Sequence, residues 1–348
     1  MKKNNKIIAI VIIIIIVIGI LGCVLFKKSS GLIGGGSAFS NEENNINNGG
    51  QTSNMAIKID GYYYIMGKEF FIKVDSKGKV VSNIAKDNNT TEFVDRPYMQ
   101  VYGDYIYYDK EGGFYKKLAR YNYKTNKIED YTIPKEIQDE LFSYKKLASS
   151  FYIRDDKLYY QPYSYDYFYI IDLDDNSISK SESLGLSSFK TVDSLKSNVF
   201  DGKLYYSINK TCNYLDFSNN KISKIADTEC TNIISTNKNV YYEAGHSSKA
   251  YKSDLEGKNT TEIYNGKNGN FATMYKDTIY TYSGYYESRT FNIIKNNDVV
   301  NTITCEQIAI ATDKLICRRY DRSVYSYDLS GENEQFIFVQ NNKKIKNY

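Results

Sequence analysis

The sequence of 348 residues has no tryptophan, one histidine and three prolines. The histidine, His246, lies in the predicted loop Gly245–Ser248, and nothing in the sequence completes a Ser-His-Asp arrangement around it. The chain also lacks a Cys-x-x-Cys pair, which together with a single histidine argues against a metal site. No glycine-rich loop lies between a strand and a helix, so nucleotide binding has no support. We therefore predict no catalytic residue, no metal site and no cofactor.

A basic surface is also missing from the main part of the chain. The formal net charge is +4, but Lys2, Lys3, Lys6, Lys27 and Lys28 flank an apolar N-terminal segment. Without these five charges, the residues after 28 carry a net charge of −1. Because nucleic-acid binding relies on lysines and arginines that neutralise phosphates, this balance argues against a nucleic acid as the partner.

Tyrosine, by contrast, is abundant, with 36 residues, and it marks a repeat. In Asp201–Tyr205, two turn-forming residues precede a variable residue, an aliphatic residue and a tyrosine. Related segments recur at about 40 residues, which is the period of a β-propeller blade. Their anchor positions are Tyr64, Tyr107, Tyr159, Tyr205, Tyr241, Tyr280 and Ile316. We therefore predict an all-β fold, a β-propeller of four-stranded antiparallel blades, with seven blades favoured and six or eight left open.

A second element recurs within each unit. Segments such as Tyr251–Leu255 and Tyr325–Leu329 are followed by turns rich in Asp, Asn, Ser and Gly. Alternating polarity that ends in such a turn is typical of β-hairpins, so these segments predict the third strand of each blade.

The N-terminal segment predicts a membrane anchor. Residues 7–26 form an uncharged run that, as a helix, would extend about 30 Å, the thickness of a hydrocarbon core. More positive charge precedes this run than follows it, which favours a cytoplasmic N-terminus and an exported C-terminal domain. The segment Ile20–Cys23 is similar to a bacterial lipobox, so lipidation at Cys23 is the alternative to an uncleaved signal-anchor.

Three regions follow from these observations. Residues 1–28 hold a cytoplasmic tip and the transmembrane signal-anchor, with its span at residues 7–26. Residues 29–54, rich in Asn, Gly and Ser, form a flexible polar linker, and residues 55–348 form the propeller domain. The predicted location is the cell membrane, crossed once, with the C-terminal domain extracellular.

Short motifs within the repeats resemble a known family. Ile106–Asp109, Leu118–Arg120 and Lys252–Asn259 are similar to the repeats of low-density-lipoprotein-receptor-type (YWTD-type) β-propellers. They more closely resemble a bacterial family of membrane-anchored β-propellers of unknown function, related to the one named after receptor-related protein 1. The resemblance covers residues 55–345 and implies the propeller fold, and the family brings no catalytic residues to transfer. The chain departs from the family in lacking Trp and in having seven units where relatives commonly form six blades.

The predicted connections differ between the two edges of the ring. Turns from the first to the second strand and from the third to the fourth are short, whereas connections at the opposite edge vary widely, as at 84–97, 129–150 and 181–196. Variation confined to one face of a repeat protein predicts the binding face. Residues 134–149 begin with Pro and have a helix-like composition, which predicts a short lid on that face.

Two aromatic hairpins are predicted at this face. The candidate ligand-binding residues are Tyr163, Tyr165, Tyr167, Phe168, Tyr285, Tyr286 and Arg289. Aromatic rings at a ring-shaped mouth suit stacking on sugars or contacts with a peptide. The alternative interpretation is that these tyrosines pack between blades, as aromatic residues of strands commonly do.

Four cysteines lie in the predicted exported domain: Cys212, Cys230, Cys305 and Cys317. Export permits disulfides, and four cysteines allow three pairings. Cys212 with Cys230 and Cys305 with Cys317 are the pairs closest in sequence and are the candidate disulfides.

Together these features favour a non-catalytic module that binds a partner protein or a cell-envelope glycan and is held at the membrane by a flexible tether. The alternative is a cell-surface carbohydrate-active enzyme, a hydrolase or lyase, with paired carboxylates at the mouth of the ring. Buried carboxylates facing each other at the mouth would favour the enzyme, and a mouth of backbone and tyrosine would favour binding. We expect the face with variable connections to point away from the bilayer.

Overall fold

The computed structural model describes residues 54–348 with some gaps. The positions left out are 69, 91–92, 94–97, 113–114, 138–147, 155, 163–165, 184–196, 201, 209, 220, 237, 285–288, 342–343 and 347–348. The predicted anchor, the predicted lipobox and nearly all of the predicted linker lie outside the described residues. In the part that is described, no helix combines the length and the apolar composition needed to cross a membrane.

The chain forms seven antiparallel sheets, the blades, each built from consecutive strands. Blade 1 contains β1 (Ala56–Ile59), β2 (Tyr62–Gly67), β3 (Phe70–Val74) and β4 (Val80–Asn83). Blade 2 contains β5 (Met99–Tyr102), β6 (Tyr105–Gly112), β7 (Tyr115–Asn122) and β8 (Lys127–Asp130). Blade 3 contains β9 (Ala148–Arg154), β10 (Lys157–Pro162), β11 (Tyr169–Asp172) and β12 (Ile178–Lys180). Blade 4 contains β13 (Ser197–Phe200), β14 (Lys203–Ile208), β15 (Thr211–Asp216) and β16 (Lys221–Lys224).

The remaining three blades follow the same order. Blade 5 contains β17 (Cys230–Ser235), β18 (Val240–Ala244), β19 (Lys249–Ser253) and β20 (Thr261–Tyr264). Blade 6 contains β21 (Asn270–Tyr275), β22 (Thr278–Ser283), β23 (Thr290–Lys295) and β24 (Asp298–Thr304). Blade 7 contains β25 (Gln307–Ala311), β26 (Lys314–Arg318), β27 (Ser323–Asp328), β28 (Gln335–Asn341) and a fifth strand, β29 (Lys344–Lys346). Short helical turns lie at α1 (Ile84–Asp87) and at a 3-10 turn (Gly245–Ser247), which contains His246.

The predicted all-β propeller of four-stranded antiparallel blades is confirmed, and the number of blades is seven. The fifth strand of blade 7 was not predicted. Among the described residues, no blade combines strands from both ends of the chain.

The repeated tyrosine lies in the second strand of its blade and packs toward the next blade. Tyr205 of blade 4 is fully buried, and its hydroxyl donates a hydrogen bond of 3.1 Å to the carbonyl oxygen of Leu255 in blade 5. Tyr280 of blade 6 donates in the same way to Leu329 of blade 7, at 3.0 Å. Burying an aromatic ring of this size stabilises the fold by about 2–3 kcal/mol. For the anchor tyrosines, packing between blades is therefore the correct interpretation.

Aspartate ends the third strand of several blades and organises the turn that follows. The carboxylate of Asp254 accepts hydrogen bonds from the N–H groups of Glu256 and Lys258, at 3.1 and 2.7 Å. Asp328 accepts from the N–H groups two and four positions later, at 3.1 and 2.9 Å, and Asp172 begins its turn in the same way. Short polar side chains favour such turns because they satisfy N–H groups that no strand can pair.

Side-chain contacts close the ring between blades 7 and 1. Lys58 donates to both carboxylate oxygens of Asp313 at 2.8 Å, and the hydroxyl of Tyr63 donates to the same carboxylate at 2.8 Å. The rings of Phe70 and Phe338 meet edge to face with their centroids 4.7 Å apart, inside an apolar cluster that both blades share. The first and last blades are therefore held together without a shared strand.

The first strand of each blade lies on the inside of the ring, because first strands of neighbouring blades contact one another, as β1 does β25 and β5 does β9. Strand β1 runs toward the turn at Asp60–Gly61, so the chain joins the ring at the opposite edge, where β2 ends. There Asn54 is buried, and its carbonyl oxygen accepts a hydrogen bond of 3.1 Å from the N–H of Met99. The N-terminal segment therefore reaches the ring beside its central opening.

Candidate binding rim

The two edges of the ring carry different connections. The regular edge has short first-to-second turns, such as 103–104 and 276–277, and the third-to-fourth turns organised by aspartate. The other edge, here called the uneven rim, carries the second-to-third and fourth-to-first connections. The latter range from the long segments 131–147 and 181–196 to the short segment 305–306. The chain from Asn54 joins the ring at this uneven rim.

The junction of blades 2 and 3 is rich in aromatic side chains below the rim. Tyr107, Phe151, Tyr160 and Tyr169 are buried there, and Tyr98, Tyr131 and Tyr167 pack against them. The connection 131–147 begins by folding into this junction, where Ile137 is fully buried and its N–H donates to the carbonyl oxygen of Pro134 at 3.0 Å. This is the first turn of the predicted lid. Residues 138–147 of the lid lie outside the described residues, and the predicted segment ends within β9.

Tyr167, in the first predicted aromatic hairpin, is half-buried at the rim. Its ring meets that of Tyr169 edge to face at a centroid distance of 5.5 Å. The ammonium nitrogen of the exposed Lys180 lies 4.9 Å from the centroids of both rings. A lysine held over aromatic rings keeps their faces in place through a cation–π contact. Tyr167 and Lys180 therefore form a preformed aromatic and cationic surface, here called the Tyr167 patch.

Phe168, in the same hairpin, occupies a different environment. It is fully buried in a cluster between blades 3 and 4, and its N–H donates a hydrogen bond of 2.9 Å to the hydroxyl of Ser181. The ring therefore supports the hairpin from below and adds no accessible surface to the rim. The candidates Tyr163, Tyr165, Tyr285 and Tyr286 lie outside the described residues.

Arg289 belongs to a polar cluster that joins blades 6 and 7 at the rim. Its side chain is 9% exposed, its guanidinium carbon lies 5.7 Å from the ring centroid of Tyr282, and Nη1 donates to the carbonyl oxygen of Glu306 at 3.5 Å. The carboxylate of Glu306 is held by Arg318 through two hydrogen bonds of 2.9 and 3.2 Å. A bidentate pair of this kind has a fixed geometry, so it fixes the side chains of Arg318 and Glu306, and Arg289 is buried beside them.

Buried amide and carboxylate groups connect neighbouring innermost strands. Gln100 of blade 2 donates from its side-chain nitrogen to the carbonyl oxygen of Phe151 in blade 3 at 3.5 Å, and its side-chain oxygen accepts from the N–H of Ile153. The side chain of Gln100 thus replaces the hydrogen bonds that a further strand would supply to β9.

A second connection of this type joins blades 5 and 6. The side-chain nitrogen of Asn232 donates to the carbonyl oxygen of Phe271 at 2.8 Å and to Glu243 at 3.2 Å. The other carboxylate oxygen of Glu243 accepts from the N–H of Phe271 at 3.3 Å. Both oxygens of this buried carboxylate are therefore engaged in holding the two blades together.

The sequence did not single out these connecting groups. Opposite the anchor tyrosine, blade 2 has Gln100 where blades 1 and 5 have Ile57 and Ile234. The same position is also polar in blades 4 and 6, which have Asn198 and Thr273, so a polar residue there gave no specific signal. The partners Glu306 and Arg318 gave no such signal, because charged residues are common where strands end.

Acid–base catalysis by a carboxyl group requires a pKa near the working pH. Five carboxyl groups in the described part of the chain have a lowered pKa: Asp175, Asp216, Asp313, Asp321 and Asp328. Hydrogen bonds from the hydroxyl and N–H of Ser218 lower the pKa of Asp216. For Asp328, burial would raise the pKa, but hydrogen bonds from Ser330 and Asn333 outweigh it. These carboxylates therefore act in turns and ion pairs.

Among the described residues, no three side chains of His, Cys, Asp or Glu come close enough to hold a metal ion. The four cysteines are fully buried and form two disulfides. Cys212–Cys230 joins β15 of blade 4 to β17 of blade 5 with a Cα–Cα distance of 5.4 Å, and Cys305–Cys317 joins the connection 305–306 to β26 at 5.6 Å. Both disulfides lie where the fourth-to-first connection is short.

Comparison with known proteins supports the fold alone. The sequence matches no protein-family model and no curated relative. A crystal structure of the tricorn protease is similar with a TM-score of 0.54 and 11% identity, over 85% of this chain and 35% of that protein. A structure from a study of two prolyl endopeptidases is similar with a TM-score of 0.53 and 8% identity, over 86% of this chain and 51% of that protein. This chain thus spans about a third and about half of those two proteins, and the resemblance to the YWTD-type family stays a prediction.

Proposed function

We propose that this chain is a membrane-tethered, extracytoplasmic β-propeller that binds a partner protein or a cell-envelope glycan through its uneven rim and catalyses no reaction. A propeller is well suited to binding because its rigid ring presents connections that vary without disturbing the blades. The two buried disulfides support an oxidising compartment outside the cytoplasm. The apolar run at residues 7–26 supports a tether.

The observation that carries this proposal is the contrast between the two edges. At the regular edge, Asp254 and Asp328 satisfy their own turns, and neighbouring tyrosines bond to the same turns. At the uneven rim, the Tyr167 patch combines a half-buried ring with an exposed ammonium group, and the buried Arg289 cluster supports the rim from below. An aromatic ring on a rigid support is among the side chains that dominate binding energies at interfaces.

The test is a binding assay with the full chain in lipid nanodiscs, using an array of cell-envelope glycan fragments and peptides as probes. Tyr167→Ala removes the ring of the Tyr167 patch. The matched control is Tyr62→Ala at the regular edge, where Lys73 lies 4.0 Å from the ring centroid and Tyr62 is 37% exposed. We expect Tyr167→Ala to weaken binding about tenfold, which corresponds to about 1.4 kcal/mol, and Tyr62→Ala to leave it unchanged.

Three outcomes separate the alternatives. Binding that depends on Tyr167, with the glycan or peptide recovered intact, supports the proposal. Shortened glycan chains after incubation would favour the carbohydrate-active enzyme instead. Equal losses from both substitutions, or loss from Tyr62→Ala alone, would place binding elsewhere on the ring and overturn the proposal.

A further inference from the structure

We infer that the uneven rim faces the bilayer to which the propeller is tethered. We also infer that the partner bound by the rim is the exposed part of an integral protein in the same membrane. This inference rests on the proposed function, because it assumes both the tether and binding at the rim. It reverses the orientation expected from the sequence, in which the variable face pointed away from the membrane.

The first step is where the chain joins the ring. Strand β1 starts at the uneven rim, and Asn54 is fixed there by its buried position and by the hydrogen bond from Met99. Because β1 is also an innermost strand, the tether leaves beside the central opening and not at the outer circumference. A ring suspended from a point near the middle of one face turns that face toward its attachment.

The second step is the length of the tether. The composition of residues 29–53, rich in Gly, Asn and Ser, is the one from which the sequence predicts a flexible linker. A flexible chain of this length would have a root-mean-square span of about 30 Å, and its fully extended length cannot exceed about 90 Å. The rim is therefore held within a few tens of ångströms of the bilayer surface. Exposed parts of integral proteins occupy that layer, whereas envelope glycan further out lies behind the ring.

The third step concerns the charge of the rim. The described residues of the rim include exposed groups of both signs: Lys68, Lys135, Lys210 and Lys267, with Glu136, Glu182, Asp227 and Glu229. Lys210 and Glu229 form an ion pair at 3.2 Å. An anionic lipid surface selects clusters of Lys and Arg, which these described residues do not form. Mixed charge beside the partly exposed ring of Tyr167 fits a protein surface.

Orientation is measured first, with the full chain in nanodiscs that contain an acceptor-labelled lipid. An azido-phenylalanine that carries a donor dye replaces one exposed residue at a time. Two sets of label positions are compared. In blade 1, Lys68 lies at the rim and Lys77 at the regular edge; near blade 5, Lys267 lies at the rim and Lys258 at the regular edge. Since a strand of six residues is about 20 Å long, we expect energy transfer from each rim position to be roughly twofold higher than from the regular-edge position of the same set.

The partner is tested with the same azido-phenylalanine positions, by photo-crosslinking in membranes of cells that express the full chain. We expect adducts from the rim positions to a protein that stays with the bilayer after an alkaline wash, and no such adducts from the regular edge. Doubling the linker with 26 inserted Gly and Ser residues should lower the adduct yield about threefold, because the effective concentration falls with tether length.

The outcomes distinguish this inference from the function it rests on. Equal or reversed energy transfer overturns the inference, even where the rim still binds its glycan or peptide. Rim adducts with glycan alone, or with a protein removed by the alkaline wash, overturn the assignment of the partner. If the orientation is as expected but the adduct yield does not change with linker length, the tether does not bring the partner to the rim, and the inference would also be wrong.

Discussion

The regular edge and the uneven rim use the same kinds of side chain in opposite ways. At the regular edge, each carboxylate and tyrosine hydroxyl mentioned above has its partner in its own turn or in the adjoining blade, as Tyr205 and Asp254 do. At the rim, Tyr167 is half-buried beside an exposed lysine, and buried guanidinium groups are linked to one another through Glu306. The first arrangement repeats in several blades, whereas the two rim arrangements differ from each other.

This difference indicates what each edge contributes. Repetition at the regular edge follows from a structural need that every blade shares, which is to satisfy a turn and pack against a neighbour. At the rim, no such need fixes the residues, so the connections differ in length and composition. Substitutions of residues that satisfy a turn or pack between blades should therefore change stability and leave binding intact, and substitution of the accessible Tyr167 at the rim should do the reverse.

The strongest test of this contrast is Tyr205→Ala, which removes a fully buried ring between blades 4 and 5. We expect a loss of about 3–5 kcal/mol in the free energy of unfolding, from the lost burial and the cavity left behind. The measurement is equilibrium denaturation, with Tyr62→Ala, which removes a ring that is 37% exposed, as the matched control. Similar losses from both substitutions would contradict the role assigned to the anchor tyrosine.

The anchor tyrosine is also the part of the fold that the sequence predicted best. All seven anchor positions lie in second strands, and Tyr251–Leu255 and Tyr325–Leu329 overlap third strands, because turn chemistry and alternation act over a few residues. The contacts that close the ring gave no comparable signal. Lys58 and Asp313 are 255 residues apart, so no local pattern records their pairing.

The site was predicted less completely than the fold. The sequence pointed to an aromatic hairpin, and the structure places Tyr167 at the rim and Phe168 in the core one position later. Successive residues of an extended chain point to opposite sides, so a run of aromatic residues cannot all be accessible. The connecting groups Gln100 and Glu243 depend on which strands become neighbours, which only the closed ring determines.

The second test concerns the disulfides on the rim side. Replacing both Cys212 and Cys230 with Ala removes a link between residues 18 apart in sequence, which joins two blades. We expect a loss of about 3 kcal/mol, from the greater freedom of the unfolded chain, and a slightly smaller loss when Cys305 and Cys317, 12 residues apart, are replaced. Denaturation with and without a reducing agent measures both. The prediction is wrong if a reducing agent changes neither the free energy of unfolding of the wild type nor the difference in that free energy between the wild type and the variants.

A smaller effect is expected from the turns of the regular edge. Asp328→Ala removes the acceptor for the N–H groups of Ser330 and Glu332 and should cost about 1–1.5 kcal/mol. The control is Asp277→Ala, in an exposed turn of the same edge. Binding of the probe identified with the nanodisc array should be unchanged in both variants. If Asp328→Ala loses binding while its free energy of unfolding equals that of the wild type, the regular edge also takes part in binding, and the proposed difference between the two edges is wrong.

The smallest expected effect lies at the contact between blades 7 and 1. Burial would raise the pKa of Asp313, but hydrogen bonds from Lys58 and Tyr63 outweigh it and lower the pKa below its usual value. A lowered pKa in the folded state adds stability above the unfolded pKa of about 4, and this stability is lost as the pH falls through the folded value. Since Asp313 is 52% exposed, solvent screening limits its contribution to about 0.5–1 kcal/mol.

Asp313→Asn keeps the shape of the side chain and removes its titration. We expect the variant to be less stable than the wild type at pH 7 and the difference to shrink toward zero as the pH falls through the lowered pKa of Asp313, because the wild-type carboxylate is then protonated. Denaturation across pH measures this difference. A difference that stays constant with pH would mean that shape and packing hold the two blades together and that the charge of Asp313 adds nothing. The closure would then rest on the apolar cluster around Phe70 and Phe338.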